Sequence, residues 1–211
     1  MKNLKKFILI IFLLFIYICI CSISYVNAVS TNIQNSVFRL HVIANSNSDE
    51  DQNLKYLVRD KVLEYINNNS TSNTSKKDLI EFANNNINEI KQIAENTIHE
   101  YGYNYTAEVY VGNFAFPTKT YGDITFPSGF YDALKIEIGE AEGKNWWCVM
   151  FPPLCFVDVT SGVVPEESKE TLKQNLSSEE YNLLSEHDES INLKFKIVEF
   201  FQNMNIKIAQ K

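Results

Sequence analysis

Two cysteines and three histidines are the residues of this chain best suited to nucleophilic chemistry. Cys148 and Cys155 enclose the segment Val-Met-Phe-Pro-Pro-Leu. A cysteine thiolate beside a histidine base, here His41 or His99, attacks acyl carbons. Neither cysteine lies in a familiar nucleophile motif, so a cysteine hydrolase acting on peptide or cell-wall links is the alternative hypothesis for this chain.

The same two cysteines have a second interpretation as a disulfide. In an oxidising compartment, two cysteines with six residues between them favour a bridge over two free thiols. The bridge would close a short loop over a Pro-Pro pair, whose fixed φ angles favour a turn. We therefore predict a disulfide between Cys148 and Cys155 that stiffens the display of Trp147 and Phe151.

Metal and cofactor chemistry have little support in the sequence. Two cysteine sulfurs need further ligands to hold zinc, and the histidines are scattered along the chain. The alternating Asn and Asp residues from Asn45 to Asp51 superficially match a calcium loop. The match fails at Glu50 and Tyr56, where that loop needs a glycine and a bidentate glutamate. We predict no metal site and no cofactor.

Both tryptophans of the chain are adjacent, at positions 146 and 147. Adjacent side chains of a strand point to opposite faces, so Trp146 and Trp147 cannot both enter one core. One ring is expected to be packed and the other to lie at or near a surface, where an indole favours a protein contact. A strand buried on both faces by helix layers is the alternative.

The first 28 residues have the pattern of an export segment. Three lysines precede an unbroken apolar run over residues 7–21, and small residues suited to cleavage follow at 26–28. The apolar run through residue 26 is also long enough to cross a bilayer, so a retained anchor is the alternative to cleavage. We predict a signal peptide or membrane anchor at 1–28, a linker at 29–36 and a single domain at 37–211.

The net charge restricts the partners of that domain. The chain carries a formal charge of -7, and residues 1–28 hold three lysines and no acidic residue, so the rest of the chain carries -10. Phosphate binding needs clustered Lys and Arg, which the sequence lacks. We predict a protein partner, no nucleic acid, no small-molecule substrate, and membrane contact only through the N-terminal segment.

Hydrophobic periodicity predicts an α+β fold. Residues 37–44 alternate as a half-buried strand with Arg39 and His41 on the outer face. A helix capped by Ser48 and a second helix over 75–101 follow. Strands are predicted near 103–111, 116–121, 134–138 and 146–151, acidic helical sequence at 165–189 and an amphipathic segment at 191–201. This order predicts a mainly antiparallel sheet of about four strands packed with helices.

Several motifs together resemble the stage II sporulation protein R family. They are Phe38-Arg-Leu-His-Val-Ile-Ala-Asn-Ser46, Asp51-Gln52, Val58-Arg59-Asp60, Tyr121-Gly122-Asp123, and Trp146-Trp147-Cys148 with Phe151-Pro-Pro-Leu-Cys155. The resemblance runs from about residue 37 to the C-terminal segment. It implies a protein made in the forespore and exported into the space between the forespore and mother-cell membranes.

The resemblance also implies a signal and not an enzyme. Such a signal activates a membrane-embedded aspartic protease in the mother-cell membrane, and the protease then removes the pro-sequence of a sigma factor. We accordingly predict no catalytic residues. The predicted contact surface comprises the exposed aromatic residues of the loop and one adjoining edge, because aromatic and Arg anchors dominate many interfaces. Its candidate residues are Trp147, Phe151, Arg39, His41, Asn45 and Trp146.

Overall fold

The computed structural model describes residues 2–70, 75–155 and 164–185. The predicted amphipathic segment at 191–201 lies outside these residues. The helices are α1 (Lys2–Ser36), α2 (Asp49–Asn69), α3 (Lys76–Asn85), α4 (Ile87–Glu100), α5 (Glu166–Asn175) and α6 (Ser178–Ser185). The strands are β1 (Phe38–Ile43), β2 (Ala107–Phe116), β3 (Lys119–Tyr121), β4 (Ile124–Phe126), β5 (Gly129–Ile138) and β6 (Asn145–Phe151).

A four-stranded sheet with the order β2-β5-β1-β6 lies at the centre of the fold. Strand β1 runs parallel to β5 and antiparallel to β6, and β2 runs antiparallel to β5. Strands β3 and β4 form a separate hairpin. The predicted α+β architecture with a mainly antiparallel sheet is confirmed.

Both faces of the sheet are covered. One face packs Phe38, Leu40 and Val42 of β1 against α2, α3 and α4. The opposite face forms a second core with the end of α1, the β3-β4 hairpin, α5 and α6. Every residue of β1 is therefore buried. The predicted half-buried strand is wrong on this point, because the second layer covers the face that bears Arg39 and His41.

Polar caps set the helix boundaries close to their predicted positions. The Ser48 hydroxyl accepts a hydrogen bond from the Asp51 amide at 3.1 Å, and Ser75 and Asp78 form a reciprocal capping box. The single helix predicted over 75–101 is two helices. Asn86 separates them, and its amide side chain donates to the Phe82 carbonyl, which makes a local alternative to the continuous helix.

The N-terminal helix reaches into the second core. Residues 29–36, predicted as a linker, form the last turns of α1, where Ile33 is buried and Asn32 donates to Glu180 of α6 at 2.9 Å. These contacts hold the residues in a helix instead of an extended connection. Within the described residues, no helix combines the length and the hydropathy needed to cross a membrane.

The β5-β6 turn is clamped against the end of β1. The Gly143 amide donates to the Ala44 carbonyl at 2.9 Å, and the Glu142 amide donates to the Asn45 carbonyl at 3.1 Å. A Cβ atom at Gly143 would collide with the backbone carbonyl of Ser46. Glycine is therefore required at this position for the close approach of two backbone segments.

We expect the substitution Gly143→Ala to lower the free energy of unfolding by about 2 kcal/mol or more, because neither backbone segment can move without breaking these hydrogen bonds. Urea denaturation would measure the change. Gly112→Ala is the matched control, since its Cβ atom would meet the Phe114 ring at an ordinary 3.4 Å. Equal stabilities of the two variants would contradict the clamp.

Candidate functional site

Arg39 is a fully buried cation that forms no salt bridge within the described part of the chain. Its guanidinium carbon lies 4.2 Å from the ring centroid of Phe116 and 4.7 Å from that of Tyr131. Its Nη2 donates to the Tyr121 hydroxyl at 2.7 Å. Arg suits such a cage because its planar, weakly hydrated guanidinium stacks on aromatic faces.

The strand register makes room for this side chain. Arg39 lies opposite Ala133 of β5 and Val149 of β6, and the small alanine leaves the space above it to the guanidinium. Arg39 and His41, predicted on the outer face of β1, are both buried, Arg39 beneath the hairpin and His41 beneath Trp147. Their positions behind the sheet edge give them a supporting role for the residues nearer the surface.

The Tyr121 hydroxyl links the cage to the edge strand β6. It accepts the hydrogen bond from Arg39 and donates to the Trp147 carbonyl at 3.0 Å. Burial raises the pKa of Tyr121, although the Arg39 charge opposes the rise. The hydroxyl therefore keeps its proton at neutral pH and remains able to donate. Arg39 and the backbone of Trp147 are thus tied by one phenol oxygen.

His41 lies beside the cage and supports the Trp147 ring. The two rings stack with centroids 3.6 Å apart and planes 18° apart, and Phe116 lies 4.6 Å from the same indole. His41 Nε2 lies 2.7 Å from Asn145 Oδ1, which suits an Nε2–H donor. Burial lowers the pKa of His41 to about 4, while the Asn145 hydrogen bond opposes the fall and the Lys135 charge adds to it. The imidazole is neutral at pH 7.

The two tryptophans lie on opposite faces of β6, and each is half-buried. Trp147 packs on His41 and Phe116 in the second core, whereas Trp146 packs near Tyr56 and Arg59 on the helix side. The expectation of one packed and one surface ring is therefore replaced by two partly exposed rings. The cause is the incomplete cover at the edge of the sheet, where β6 has no neighbour beyond it in the strand order.

The predicted disulfide between Cys148 and Cys155 is present, with Cα atoms 5.1 Å apart. The Leu154 amide also donates to the Val149 carbonyl at 2.9 Å, so the loop folds back along β6. Phe151 lies half-buried at the start of this loop. The bridge and the hydrogen bond fix the loop to the strand that carries both indoles.

The strand register places His41 and Cys148 on opposite faces of the sheet. Cys148 pairs with Leu40 of β1 and belongs to the helix-side core, while His41 points to the opposite face. A Cys148–His41 dyad is therefore not formed. This arrangement favours a structural role for both residues over nucleophilic chemistry.

The Asn45 side chain hydrogen-bonds to the first turn of α2 and to the β5-β6 turn. Its side chain donates to Asp51 Oδ2 at 2.8 Å and accepts from the Glu140 amide at 3.0 Å. The calcium-loop interpretation had already failed on sequence grounds, and the described residues contain no group of three or more His, Cys, Asp or Glu side chains able to hold a metal ion. The two hydrogen bonds of Asn45, a predicted contact residue, tie the end of β1 to α2 and to the β5-β6 turn.

The structure reveals site residues that the sequence analysis missed. Phe116 and Tyr131 form the walls of the Arg39 cage, and Asp123 joins the hairpin to α5 through a 2.7 Å ion pair with Lys169. Burial acts to raise the pKa of Asp123, but the hydrogen bond from Lys169 and those from backbone amides outweigh it and lower the pKa. The sequence did carry a signal for Asp123, because it belongs to the Tyr121-Gly122-Asp123 motif already singled out. Phe116 and Tyr131 carried no such signal.

Comparison with known proteins gives two matches. A family model described as "Stage II sporulation protein R" matches residues 34–161. The protein named Stage II sporulation protein R from Bacillus subtilis (strain 168) is 35% identical over 187 residues, which cover 82% of this chain and 83% of that protein. No solved structure matches the chain. The matched range includes the cage, both tryptophans and the disulfide.

We expect acid to destabilise the protein through His41. The unfolded chain takes up a proton near the ordinary pKa of 6.5, whereas the folded chain does so near 4. The unfolded state therefore binds more protons between these values, and stability falls as the pH is lowered from about 6.5 to 4. The contribution is on the order of 3 kcal/mol.

The matched variants are His41→Phe, which keeps a ring against Trp147, and His99→Gln at an exposed position. Chemical denaturation at a series of pH values would measure the free energy of unfolding. His41→Phe should flatten the pH dependence relative to wild type, and His99→Gln should leave it unchanged. The same slope in all three proteins would rule out His41 as its source.

We expect alkylation to distinguish the disulfide from free thiols. N-ethylmaleimide applied to the native, unreduced chain should leave Cys148 and Cys155 unlabelled, while Cys21 is free and exposed. Both sites should become labelled after denaturation and reduction, as read by peptide mass spectrometry. Stoichiometric labelling of either residue in the native protein would instead support the cysteine hydrolase.

Proposed function

The chain belongs to the stage II sporulation protein R family, and from this premise we propose that it is an exported signal of endospore formation. It is made in the forespore and crosses into the space between the forespore and mother-cell membranes. There it activates a membrane-embedded aspartic protease of the mother-cell membrane. The protease then removes the pro-sequence of a sigma factor.

The pattern of residues 1–28 supports export, with three lysines ahead of the apolar run. A disulfide suits the same compartment, because such bonds persist where thiols are not kept reduced. In this proposal residues 1–28 are a signal peptide that is cleaved after translocation. A retained anchor would place the same surface beside the membrane.

The observation that carries a binding role is the rigid edge strand β6. Trp147 and Phe151 are half-buried, so each keeps part of its ring for a partner. The ring of Trp147 is stacked on His41 and its carbonyl is held by Tyr121. A ring that is fixed before binding loses little entropy on binding, which favours affinity.

The disulfide between Cys148 and Cys155 supports a signalling ligand over a cysteine hydrolase. The two sulfurs are bonded to each other, and His41 lies across the sheet from Cys148. In this proposal Arg39, His41 and Asn45 position the contact residues, and Trp146, Trp147 and Phe151 make the contact. The six candidate residues are thus divided into a supporting group and a contacting group.

A ligand activates a protease only by binding the active arrangement more tightly than the inactive one. Moving a protease from about 1% to about 99% active requires a preference of about 5.5 kcal/mol. Single buried aromatic anchors contribute roughly 2–4 kcal/mol each to many interfaces. Two or three aromatic residues on β6 that contact only the active arrangement therefore supply the required difference.

We expect co-expression with the candidate protease and its pro-sigma substrate in a heterologous cell to reconstitute processing. Immunoblotting would give the processed fraction. Deletion of residues 1–28 should abolish processing, because the signal would stay on the wrong side of the membrane. The double variant Cys148→Ser with Cys155→Ser should retain processing if it remains folded, since no step uses a thiolate.

Circular dichroism of the purified double variant is the folding control. A folded double variant that fails to support processing would bring cysteine chemistry back. A wild-type chain that is exported but gives no processing would contradict protease activation itself.

A further inference from the structure

A cluster of cations and aromatic rings lies on the helix side of β6, across the sheet from Trp147. We call it the Trp146 patch. It consists of Lys55, Tyr56 and Arg59 of α2, Lys144 of the β5-β6 turn, and Trp146. Helical spacing places residues 55, 56 and 59 on one side of α2, because positions three and four apart are neighbours on a helix surface.

Arg59 forms the centre of the patch. Its guanidinium carbon lies 4.3 Å from the ring centroid of Trp146 and 5.1 Å from that of Tyr56. The two rings meet edge-on at 5.3 Å. The Arg59 guanidinium therefore packs on aromatic surface, and the residue is partly exposed. Its ion-pair partner within the described residues is the adjacent Asp60, whose side chain is 58% exposed.

Lys55 is the second cation of the patch, and the polar partners of its ammonium are uncharged groups. Its ammonium donates to the Gln52 side chain at 2.6 Å and to the Lys144 carbonyl at 3.1 Å, and no salt bridge to it is formed within the described ranges. Burial lowers the pKa of Lys55 to about 8, and the charges of Arg59 and Lys144 add to the effect. The charges that act on Lys55 are therefore both positive.

The patch contrasts with the rest of the chain. The chain carries a net charge of -7, yet Lys55, Arg59 and Lys144 meet here, and Lys144 is exposed. The indole Nε1 of Trp146 is buried and has no hydrogen-bond partner among the described residues. Arg59 and Lys144 thus offer donors and positive charge at the surface, and the buried Lys55 adds its charge from beneath them.

We propose that the Trp146 patch binds carboxylate side chains of an acidic, extended segment of the partner protein. The proposal rests on the proposed function, because it names the chemistry of the surface that the signal contacts. The acidic remainder of the chain repels such a segment, so the patch fixes the orientation in which the partner docks. Phe151 adds an aromatic contact on the same side of β6, and Trp147 supplies one from the other side.

A direct binding measurement tests the patch without the protease. The chain contains two tryptophans, so Trp147→Phe leaves Trp146 as the single indole reporter. The full-length variant in detergent would be titrated with an acetylated hexaglutamate peptide and, separately, with the matching hexaglutamine peptide. We expect the hexaglutamate peptide alone to change the Trp146 emission, and 0.5 M salt to weaken its binding.

Charge variants identify the residues responsible. Arg59→Gln together with Lys144→Gln should weaken hexaglutamate binding about tenfold or more. Lys77→Gln removes an exposed positive charge from α3 and is the matched control. If an Arg59 variant fails to fold, Lys144→Glu tests the patch alone, because Lys144 is exposed and its replacement leaves the core intact. Equal responses to the two peptides, or no effect of the charge variants, would overturn the patch.

The co-expression assay separates this inference from the proposed function. Lys144→Glu should reduce processing about tenfold, and Lys77→Glu should not. Normal processing by folded Lys144→Glu and by the folded Arg59–Lys144 double variant would reject the patch and leave protease activation standing. Selective hexaglutamate binding without any processing by wild type would support the patch and reject activation of that protease.

Discussion

The burial of Arg39 without an acidic partner among the described residues is the constraint on which the site depends. Removing a charge from water costs several kcal/mol unless other interactions replace hydration. Here the replacement comes from the Phe116 and Tyr131 faces and from the Tyr121 hydroxyl. A desolvated cation over an aromatic ring gains about 2 kcal/mol or more. The cage is stable only when β2, β5 and the hairpin are all in place, so one side chain enforces the assembly of three elements around β1.

The same constraint determines how the edge of the sheet is presented. Tyr121 can hold the Trp147 carbonyl because Arg39 fixes its hydroxyl from the other side. The hairpin that carries Tyr121 is in turn held to α5 by the ion pair of Asp123 with Lys169. Strand β6 therefore receives support from elements that lie far from its own disulfide loop. The position of β6 therefore depends on the contacts of Arg39, Tyr121 and Asp123 as well as on the disulfide.

Local features of the fold were predictable from the sequence, whereas the long-range partners were not. Ser48 and Ser75 mark helix starts through residues three positions away, and Cys148 and Cys155 lie close enough in the chain to suggest their bond. Alternation in β1 separated Arg39 from Leu40 but could not reveal whether a second layer covers the Arg39 face. That layer contains Tyr121, which is 82 positions away from Arg39. Asn86 likewise broke a helix whose apolar spacing continues across it.

The pairing of β1 has a consequence for the order of assembly. Phe38 of β1 lies opposite Phe151 of β6, and β5, the other neighbour of β1, ends at Ile138. Because the chain is synthesised from its N-terminus, β1 exists long before either of its neighbours has been made. The sheet therefore cannot close until the chain is available as far as Phe151, and such long-range pairing is intrinsically slow. The N-terminal strand of the sheet is therefore among the last of its strands to find both partners, although it is made first.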